Sequence, residues 1–249
     1  MPQRLKLIVA YDGTAYAGWQ SQTGGNTIQD HLEGAFQNVT AEKVRVHGAG
    51  RTDAGVHALG QCAHADVAAR DWPGDRWIPA LNAALPVTIR VQRARYVPLS
   101  FHARFSATGK TYRYRIWNAR VLSPLEYGRC WHVPLPLNLQ ALSEAAAALH
   151  GTHDFAAFAA NRGKPEASTV RTITAVRVRR AAASITIDFS GDGFLYKMVR
   201  LLVGALVRCG RGKMSPARVP ELLASPASSL AAERSVAPAE GLILLRVRY

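Results

Sequence analysis

The segment with the clearest chemical potential is a short stretch of small residues around one carboxylate, Asp53. It reads Gly-Ala-Gly-Arg-Thr-Asp-Ala-Gly over residues 48–55, so Arg51 and Thr52 directly precede Asp53. Glycine accepts positive φ and has no Cβ, so this composition predicts a tight loop that presents its polar side chains and lets a substrate approach closely. Asp53 is therefore a candidate catalytic carboxylate. A capping Asp paired with Arg51 is the structural alternative.

Predicted strands hold this loop in place. Residues 45–47 lead into it and residues 59–67 lead out of it, and both segments have the composition of strands. A second glycine-punctuated segment, residues 11–20, follows the apolar strand 5–10. The first half of the chain therefore contains two glycine-rich segments, each beside a strand.

The remaining pattern is that of an α+β protein. Thr27 and Asn138 each precede apolar residues at helical spacing and predict capped helices, the second ending at Gly151. An apolar helix is predicted over 194–209, and Ser215 with Pro216 opens a short fourth helix. Further strands are predicted over 87–97, 110–118, 170–180 and 184–190. Strands and helices do not alternate strictly, which favours an antiparallel sheet with helices on one side.

The charge of the chain indicates a polyanionic partner. Lys and Arg number 31 against 17 Asp and Glu, a net charge of +14. Residues 1–104 hold 11 basic and 8 acidic side chains, whereas residues 105–249 hold 20 and 9. Nucleic acid is the leading candidate, and the 25 arginines against 6 lysines suit planar contacts with phosphates and bases. A base-composition bias of the genome would also enrich arginine.

Other classes of protein fit the sequence less well. The longest apolar run, 198–207, is interrupted by Arg200 and is far shorter than the ~20 residues of a membrane span. No signal peptide is evident, so we expect a cytoplasmic protein. Three widely spaced cysteines argue against a disulfide framework. Cys62, His64 and Asp66 alternate and could offer three metal ligands on one strand face, but an ordinary strand edge has the same spacing.

Four segments together resemble the tRNA pseudouridine synthase A family. They are Tyr-Asp-Gly-Thr-Ala-Tyr-Ala-Gly-Trp-Gln (11–20), the loop and its flank (48–58), Ser-Phe-His-Ala-Arg-Phe-Ser-Ala-Thr-Gly-Lys-Thr-Tyr-Arg-Tyr (100–114) and Gly-Phe-Leu-Tyr-Lys-Met-Val-Arg-Leu-Leu-Val-Gly (193–204). The resemblance covers nearly the whole chain and is most specific at residues 51–57. It implies a pseudouridine synthase fold, in which two ferredoxin-like halves, 1–105 and 106–249, are fused through an extended antiparallel sheet with a cleft between them.

The resemblance also implies a reaction and a substrate. The family isomerises uridine to pseudouridine at positions 38, 39 and 40 in the anticodon stem-loop of tRNA, as a homodimer. The reaction breaks the N1–C1′ bond, rotates the uracil and joins its C5 to C1′, so no metal or other cofactor is expected. A carboxylate could act as nucleophile toward C1′ or C6, or as base at C2′. The sequence leaves these routes open.

The resemblance assigns the catalytic roles to three residues. Asp53 carries the chemistry, and Arg200, a charge in an otherwise apolar helix that needs an anion, is its partner. Tyr112 stacks on the target base and takes part in the final deprotonation of C5. Tyr114 shares its strand face and stays structural. The ordinary alternatives are an arginine on a solvent-facing helix stripe and a tyrosine packed in the core.

Three further arginines are implied to bind tRNA. Arg51 braces the helix from which the target base is extruded, and Arg104 and Arg120 contact the backbone. Two rival functions remain. A retaining glycosidase would use Asp53 as nucleophile with Asp12 as the second carboxylate, although a strongly basic chain suits neutral sugars poorly. A non-catalytic RNA-binding protein could use the same type of sheet.

Overall fold

A computed structural model describes residues 2–161, 163, 167–224 and 235–249. The chain forms two compact units. The first comprises residues 1–108 together with Ile243–Tyr249, and the second comprises Gly109–Leu242. None of the helices in the described ranges has the length and apolar character needed to cross a membrane.

The elements follow one another as a mixture of strands and helices. The strands are β1 (Gln3–Tyr11), β2 (Val46–Gly48), β3 (His57–Val67), β4 (Ile89–Val97), β5 (Gly109–Trp117), β6 (Trp131–His132), β7 (Gly151–Asp154), β8 (Val170–Ala181), β9 (Ser184–Gly191) and β10 (Leu242–Arg248). The helices are α1 (Ile28–Thr40), α2 (Trp77–Ala84), α3 (Leu139–Ala147), α4 (Met198–Gly210) and α5 (Arg218–Ala224).

The first unit is built on a sheet in which β1 lies between β4 and β3. Both pairings are antiparallel, and β2 adds to β3 in the same sense. β10 instead runs parallel to β3, with Ile243 opposite His57. Alternate residues of β1 are completely buried, as are apolar residues at helical spacing in α1, among them Leu5, Leu7, Leu32 and Phe36. Each such side chain contributes roughly 1.5–3 kcal/mol when it leaves water, so this core fixes the strands beside the Asp53 loop.

Helix α1 begins where the sequence predicts. The Thr27 hydroxyl accepts a hydrogen bond from the Asp30 backbone N–H, and the Asp30 carboxylate accepts from the Thr27 backbone N–H, which forms a reciprocal capping box. Such a cap contributes about 1 kcal/mol. The predicted α3 cap is also confirmed, because the Asn138 side chain accepts from the Ala141 N–H.

The second unit contains the antiparallel series β5, β9, β8 and β7, and β6 pairs with β5 in parallel. Burial alternates along β5: Tyr112 and Tyr114 are buried, whereas Arg113 and Arg115 are partly exposed. The predicted division of the two residue types between the two faces is therefore confirmed. The Arg113 guanidinium donates two hydrogen bonds, at 2.7 and 2.9 Å, to the Asp188 carboxylate on β9.

The structure corrects three predictions about individual elements. The sheet is mixed, because β10 and β6 pair in parallel. Helix α4 begins at Met198 rather than Phe194, because Lys197 before it has a left-handed backbone with φ of +58°. Helix α3 ends at Ala147, and Gly151, with φ of +113°, begins β7 instead of ending the helix.

Several short or weakly marked elements do not appear in the sequence prediction. They are α2, β6, β7 and β10. Helix α2 has no side-chain cap and buries only Trp77 and Leu81, so its local signals are weak. Strands β6 and β7 have two and four residues, too few for a recognisable alternation.

Candidate active site

Asp53 lies in the loop between β2 and β3, as the sequence predicts. The Val56 N–H donates to the Asp53 carbonyl at 3.2 Å and closes a tight turn. Gly55, inside this turn, has φ of +77°, a conformation that favours glycine. The Asp53 side chain is partly exposed. The loop therefore presents a carboxylate that a substrate can reach.

The backbone of this loop is fixed before Asp53 by three hydrogen bonds. The Ala49 N–H donates to the Cys62 carbonyl at 2.7 Å, and the Gln61 side-chain amide donates to the Gly50 carbonyl at 2.9 Å. The Trp19 N–H donates to the Thr52 carbonyl at 3.0 Å. Because two of these bonds join the loop to β3 and the third joins it to the segment 11–20, Asp53 extends from an anchored backbone.

The second glycine-rich segment, residues 11–20, packs directly against this loop. Gly18 has φ of +92°, and a Cβ built on it would lie 2.6 Å from the Thr52 carbonyl oxygen. A Cβ on Gly13 would overlap the Val56 carbonyl. These two glycines therefore allow two backbone segments to approach each other. The glycine spacing of both segments thus has one common cause.

A buried hydrogen bond between Tyr11 and Thr52 joins the two segments. Their hydroxyl oxygens are 2.8 Å apart, and both residues are almost fully buried. The sequence reasoning missed this role of Thr52, which lies between the two residues that carry the chemical prediction. The available signal is weak: a threonine inside a glycine-rich loop that immediately precedes the carboxylate.

The Asp12 carboxylate takes part in a turn. Its Oδ1 accepts hydrogen bonds from the Thr14 backbone N–H at 3.1 Å and from the Thr14 hydroxyl at 2.6 Å. His57 Nδ1 accepts from the Gly13 N–H at 3.1 Å and lies 3.2 Å from Asp12 Oδ1. These contacts are those of a carboxylate that organises a turn.

The two arginines predicted in the first unit lie on exposed loops. Arg51 is exposed, and its Nε donates to the Gln20 side-chain oxygen at 3.3 Å, so it extends toward the segment that braces the loop. Arg104 is also exposed, and its guanidinium carbon lies 5.6 Å from the centroid of the Phe105 ring. Asp53, Arg51 and Arg104 thus all belong to the first unit.

Tyr112, Arg200 and Arg120 belong to the second unit. Tyr112 on β5 is 8% exposed and meets the Phe194 ring edge to face at 5.2 Å between centroids. Arg200 lies in helix α4, which is buried except at Arg200 and Arg208, and its Nε donates to the Ala237 carbonyl at 2.8 Å. Arg120 is exposed in the loop after β5.

Tyr114 differs from Tyr112 in its surroundings. It is completely buried, and its hydroxyl donates to the Pro238 carbonyl at 2.8 Å. Burial and the neighbouring Glu240 carboxylate raise the pKa of Tyr114 well above its usual range, despite the opposing charge of Arg200. Its hydroxyl therefore stays protonated, which suits a structural hydrogen bond.

The alternating residues Cys62, His64 and Asp66 have other partners. Arg4 donates two hydrogen bonds to the Asp66 carboxylate, and these bonds lower the pKa of Asp66. The His64 Nδ1 accepts from the Ala103 N–H at 3.1 Å. Burial, with a smaller effect from Arg4 and neighbouring histidines, lowers the pKa of His64 to about 4. In the described part of the chain, no group of three such side chains is arranged to hold a metal ion.

Comparisons with known proteins add independent information. The profile of a family described as tRNA pseudouridine synthase matches residues 7–106 and 145–249. A protein of Akkermansia muciniphila named tRNA pseudouridine synthase A is 49% identical over 254 residues, which cover 99% of this chain and 95% of the relative. Proteins of the same name from Acetivibrio thermocellus and Geobacillus kaustophilus are each 43% identical. The first match covers 99% of this chain and 100% of the relative, and the second covers 100% and 95%.

Proposed function

Because the chain belongs to the tRNA pseudouridine synthase family, we propose that it converts uridine to pseudouridine at positions 38, 39 and 40 in the anticodon stem-loop of tRNA. The observation that carries this proposal is the Asp53 loop. Its backbone is anchored by the Ala49, Gln61 and Trp19 hydrogen bonds, while the Asp53 side chain remains accessible. A carboxylate held in this way can meet a substrate atom at a reproducible position.

Asp53 supplies the chemistry in this proposal. The N1–C1′ bond of the target nucleotide breaks, the uracil rotates, and its C5 joins C1′. The proton lost from C5 is balanced by the proton gained at N1, so the reaction needs no oxidant or reductant. Asp53 acts either as a nucleophile toward C1′ or C6 or as a base at C2′. Each of these roles requires the ionised carboxylate.

Tyr112 and Arg200 complete the catalytic group in the proposal. Tyr112 stacks on the extruded base and helps to remove the C5 proton, and its setting beside the Phe194 ring suits an aromatic contact. Arg200 supplies the positive charge that pairs with the Asp53 carboxylate. The hydrogen bond from Arg200 Nε to the Ala237 carbonyl restrains the guanidinium, which suits a residue that orients a carboxylate.

Arg51, Arg104 and Arg120 form the proposed contacts with tRNA. All three are exposed, as phosphate-binding arginines must be. Arg51 follows Gly50 in the anchored loop, so it can occupy the gap left by the extruded base. The net charge of +14 supplies the long-range attraction to a polyanion.

The architecture of two ferredoxin-like halves, residues 1–105 and 106–249, is also part of the proposal. The order β1, α1, β2, β3, α2, β4 supports it in the first half, because this is the β-α-β-β-α-β order of the ferredoxin-like motif. In the second half, β5, α3, β8, β9, α4 and β10 have the same alternation when the short elements between them, β6, β7 and α5, are left out.

We also infer that the working enzyme is a homodimer whose two copies share one tRNA. Its compartment is the cytoplasm, where tRNA is processed. Light scattering of the purified protein, with and without tRNA, tests the dimer. A molar mass near twice 27.0 kDa for the free protein is expected, and a monomer at every concentration contradicts it.

The alternative glycosidase function requires Asp12 as its second catalytic carboxylate, and the setting of Asp12 does not suit that role. Asp12 accepts two hydrogen bonds from Thr14 in a turn, whereas a glycosidase acid must be placed to protonate a leaving group. The strong positive charge also disfavours neutral sugars. We therefore retain the isomerase as the proposed function.

The experiment compares the protein with its Asp53→Asn variant. Unmodified tRNA labelled with tritium at uridine C5 releases tritium only when C5 forms the new carbon–carbon bond. We expect release with the native chain and none with Asp53→Asn, while tRNA binding stays within about twofold because the amide keeps the side-chain shape. Turnover by Asp53→Asn contradicts the role of Asp53, and no release by the native chain contradicts the function.

A further inference from the structure

Four aromatic rings extend from the interior of the first unit to its surface. His64 is buried, and its ring centroid lies 4.6 Å from that of His102 and 5.0 Å from that of His47. His102 in turn lies 4.4 Å from Phe105, with 32° between the ring planes. We call these four residues the ring cluster. The mechanism above uses none of them.

The outer part of the ring cluster is fixed to the sheet through Ala103. The Ala103 N–H donates to His64 Nδ1 at 3.1 Å, and its carbonyl accepts from the Tyr249 hydroxyl at 2.7 Å. Ala103 itself is completely buried. With both backbone polar groups bonded, the residues on either side of Ala103 have little freedom.

The loop between β4 and β5 also orients the His102 ring. His102 Nδ1 accepts from the backbone N–H groups of Arg104 at 3.1 Å and of Phe105 at 3.3 Å. The Ser106 N–H donates to the His102 carbonyl at 2.9 Å and closes the turn. Nδ1 therefore carries no proton, and the ring is held as a support beneath Phe105.

Phe105 is 76% exposed, although it sits on this constrained scaffold. The exposed Arg104 guanidinium lies over part of its ring, with the guanidinium carbon 5.6 Å from the centroid. A planar aromatic face with an adjacent guanidinium is the combination on which unpaired bases stack in RNA recognition. The arginine also supplies a positive charge for the neighbouring phosphate.

We propose that Phe105, supported by His102 and flanked by Arg104, is a stacking platform for an unpaired base of the tRNA anticodon loop. This inference rests on the proposed function and adds a contact that reads the absence of base pairing. A base inside a duplex cannot offer its face to Phe105, whereas an unpaired loop base can. The platform would therefore help to select a stem-loop over continuous duplex RNA.

RNA is the occupant that the charges favour. The surface carries Arg104 beside the ring, and the whole chain has a net charge of +14. The same surroundings discourage a basic partner, and one exposed phenylalanine offers far less area than a stable protein interface needs. Stacking on a single base needs only one ring face.

The test measures binding of a synthetic anticodon stem-loop RNA whose unpaired bases are replaced, one at a time, by 2-aminopurine. Stacking quenches the fluorescence of this base. We expect the native protein to quench one loop position and Phe105→Leu to lose that quenching. We also expect Phe105→Leu to raise the Kd about fivefold to 150-fold, the range for one lost aromatic–base stack. Phe105→Trp should restore both signals, because it restores a π-face.

Two controls separate stacking from other effects. Tyr127 is 77% exposed in the second unit, so Tyr127→Leu removes a similar exposed ring and should leave Kd and quenching unchanged. Phe105→Leu should keep the native dependence of log Kd on log salt concentration, whereas Arg104→Gln should reduce that slope by about one phosphate contact. Binding of a fully paired RNA of equal length should not respond to Phe105→Leu.

The outcomes separate this inference from the proposed function. Native Kd and native quenching in Phe105→Leu overturn the platform, even when tritium release from tRNA is intact. Equal losses for stem-loop and duplex RNA also overturn it, because a stack on an unpaired base cannot weaken duplex binding. Failure of the native protein to release tritium overturns the proposed function instead, because that measurement does not depend on Phe105.

Discussion

Replacement of Thr52 by valine tests how firmly the Asp53 loop must be held. The hydroxyl oxygens of Thr52 and Tyr11 are 2.8 Å apart in a buried setting. Valine keeps the shape of threonine but cannot form this hydrogen bond. A buried hydrogen bond contributes about 1 kcal/mol net, and loss of one partner costs about 1–3 kcal/mol. We expect Thr52→Val and Tyr11→Phe each to lower the free energy of unfolding by about 1–2 kcal/mol.

The double variant provides the more specific test. Each single replacement already breaks the hydrogen bond between the two hydroxyls, so the second replacement cannot break it again, and the combined cost should fall below the sum of the single costs by about 1 kcal/mol. Equilibrium unfolding in urea, followed by tryptophan fluorescence, measures these free energies. Trp19 is buried beside the loop, and its backbone N–H donates to the Thr52 carbonyl. Its fluorescence therefore reports on the same region.

The hydrogen bond between the Thr52 and Tyr11 hydroxyls should also matter for catalysis. Thr52→Val leaves in place the hydrogen bond from the Trp19 backbone N–H to the Thr52 carbonyl, so the loop is loosened rather than released. We expect kcat for tritium release to fall about tenfold, because small displacements of a reacting group are costly, with little change in KM. Tyr16→Phe is the matched control, since it removes a hydroxyl contact with Thr88 outside the loop. It should lower stability without lowering kcat.

Two results would refute this reasoning. If the single costs add fully in the double variant, the two hydroxyls do not depend on each other. If Thr52→Val lowers kcat no more than Tyr16→Phe does, the hydrogen bond stabilises the unit but does not position Asp53.

Three further variants test other parts of the account. Arg200→Met keeps apolar bulk in α4 and should lower kcat at least 100-fold at saturating tRNA while Kd changes little; a pure loss of affinity would assign Arg200 to RNA binding instead. Gly18→Ala places a Cβ 2.6 Å from the Thr52 carbonyl oxygen at a φ of +92°. It should lower the free energy of unfolding, measured by thermal unfolding, by more than about 1 kcal/mol and reduce kcat. Native values of both quantities would contradict the close packing. His64 has a pKa lowered to about 4 when folded and about 6.5 when unfolded, so the unfolded chain binds the extra proton between these values. Stability should therefore be highest above about pH 6.5 and fall by up to about 1.4 kcal/mol per pH unit toward pH 4. His64→Asn keeps an acceptor for the Ala103 N–H and should flatten this fall, and an unchanged pH curve would exclude His64 as its source.

The sequence predicts the local features of the site because their causes are local. The glycines around Asp53 indicate a tight loop, and Gly55 does adopt positive φ in the turn that follows the carboxylate. Thr27 before a helical pattern indicates a cap, and the capping box is present. In each case the signal and the structure that it predicts lie within a few residues of each other.

The features that the sequence does not predict depend on contacts between distant segments. Nothing near Gly18 indicates that the Thr52 carbonyl will lie against it, because the two positions meet only in the folded unit. The alternation of β5 assigns Arg113 to the face opposite the tyrosines, yet its partner Asp188 follows from the strand register. The ring contact between His102 and Phe105 is local, but its support by His64 depends on the position of Ala103 beside β3.

The position of β10 affects how the protein is made. The strand beside the start of β3, at His57 and Ala58, comes from residues 243–244, which follow after most of the chain. During synthesis on the ribosome, the unit that carries Asp53 therefore waits with an open strand edge until the second unit has been synthesised. Closure over so long a separation is entropically costly and slow. An exposed edge in the meantime is a site for mispairing, so the order of synthesis makes the unit that carries Asp53 the last to be completed.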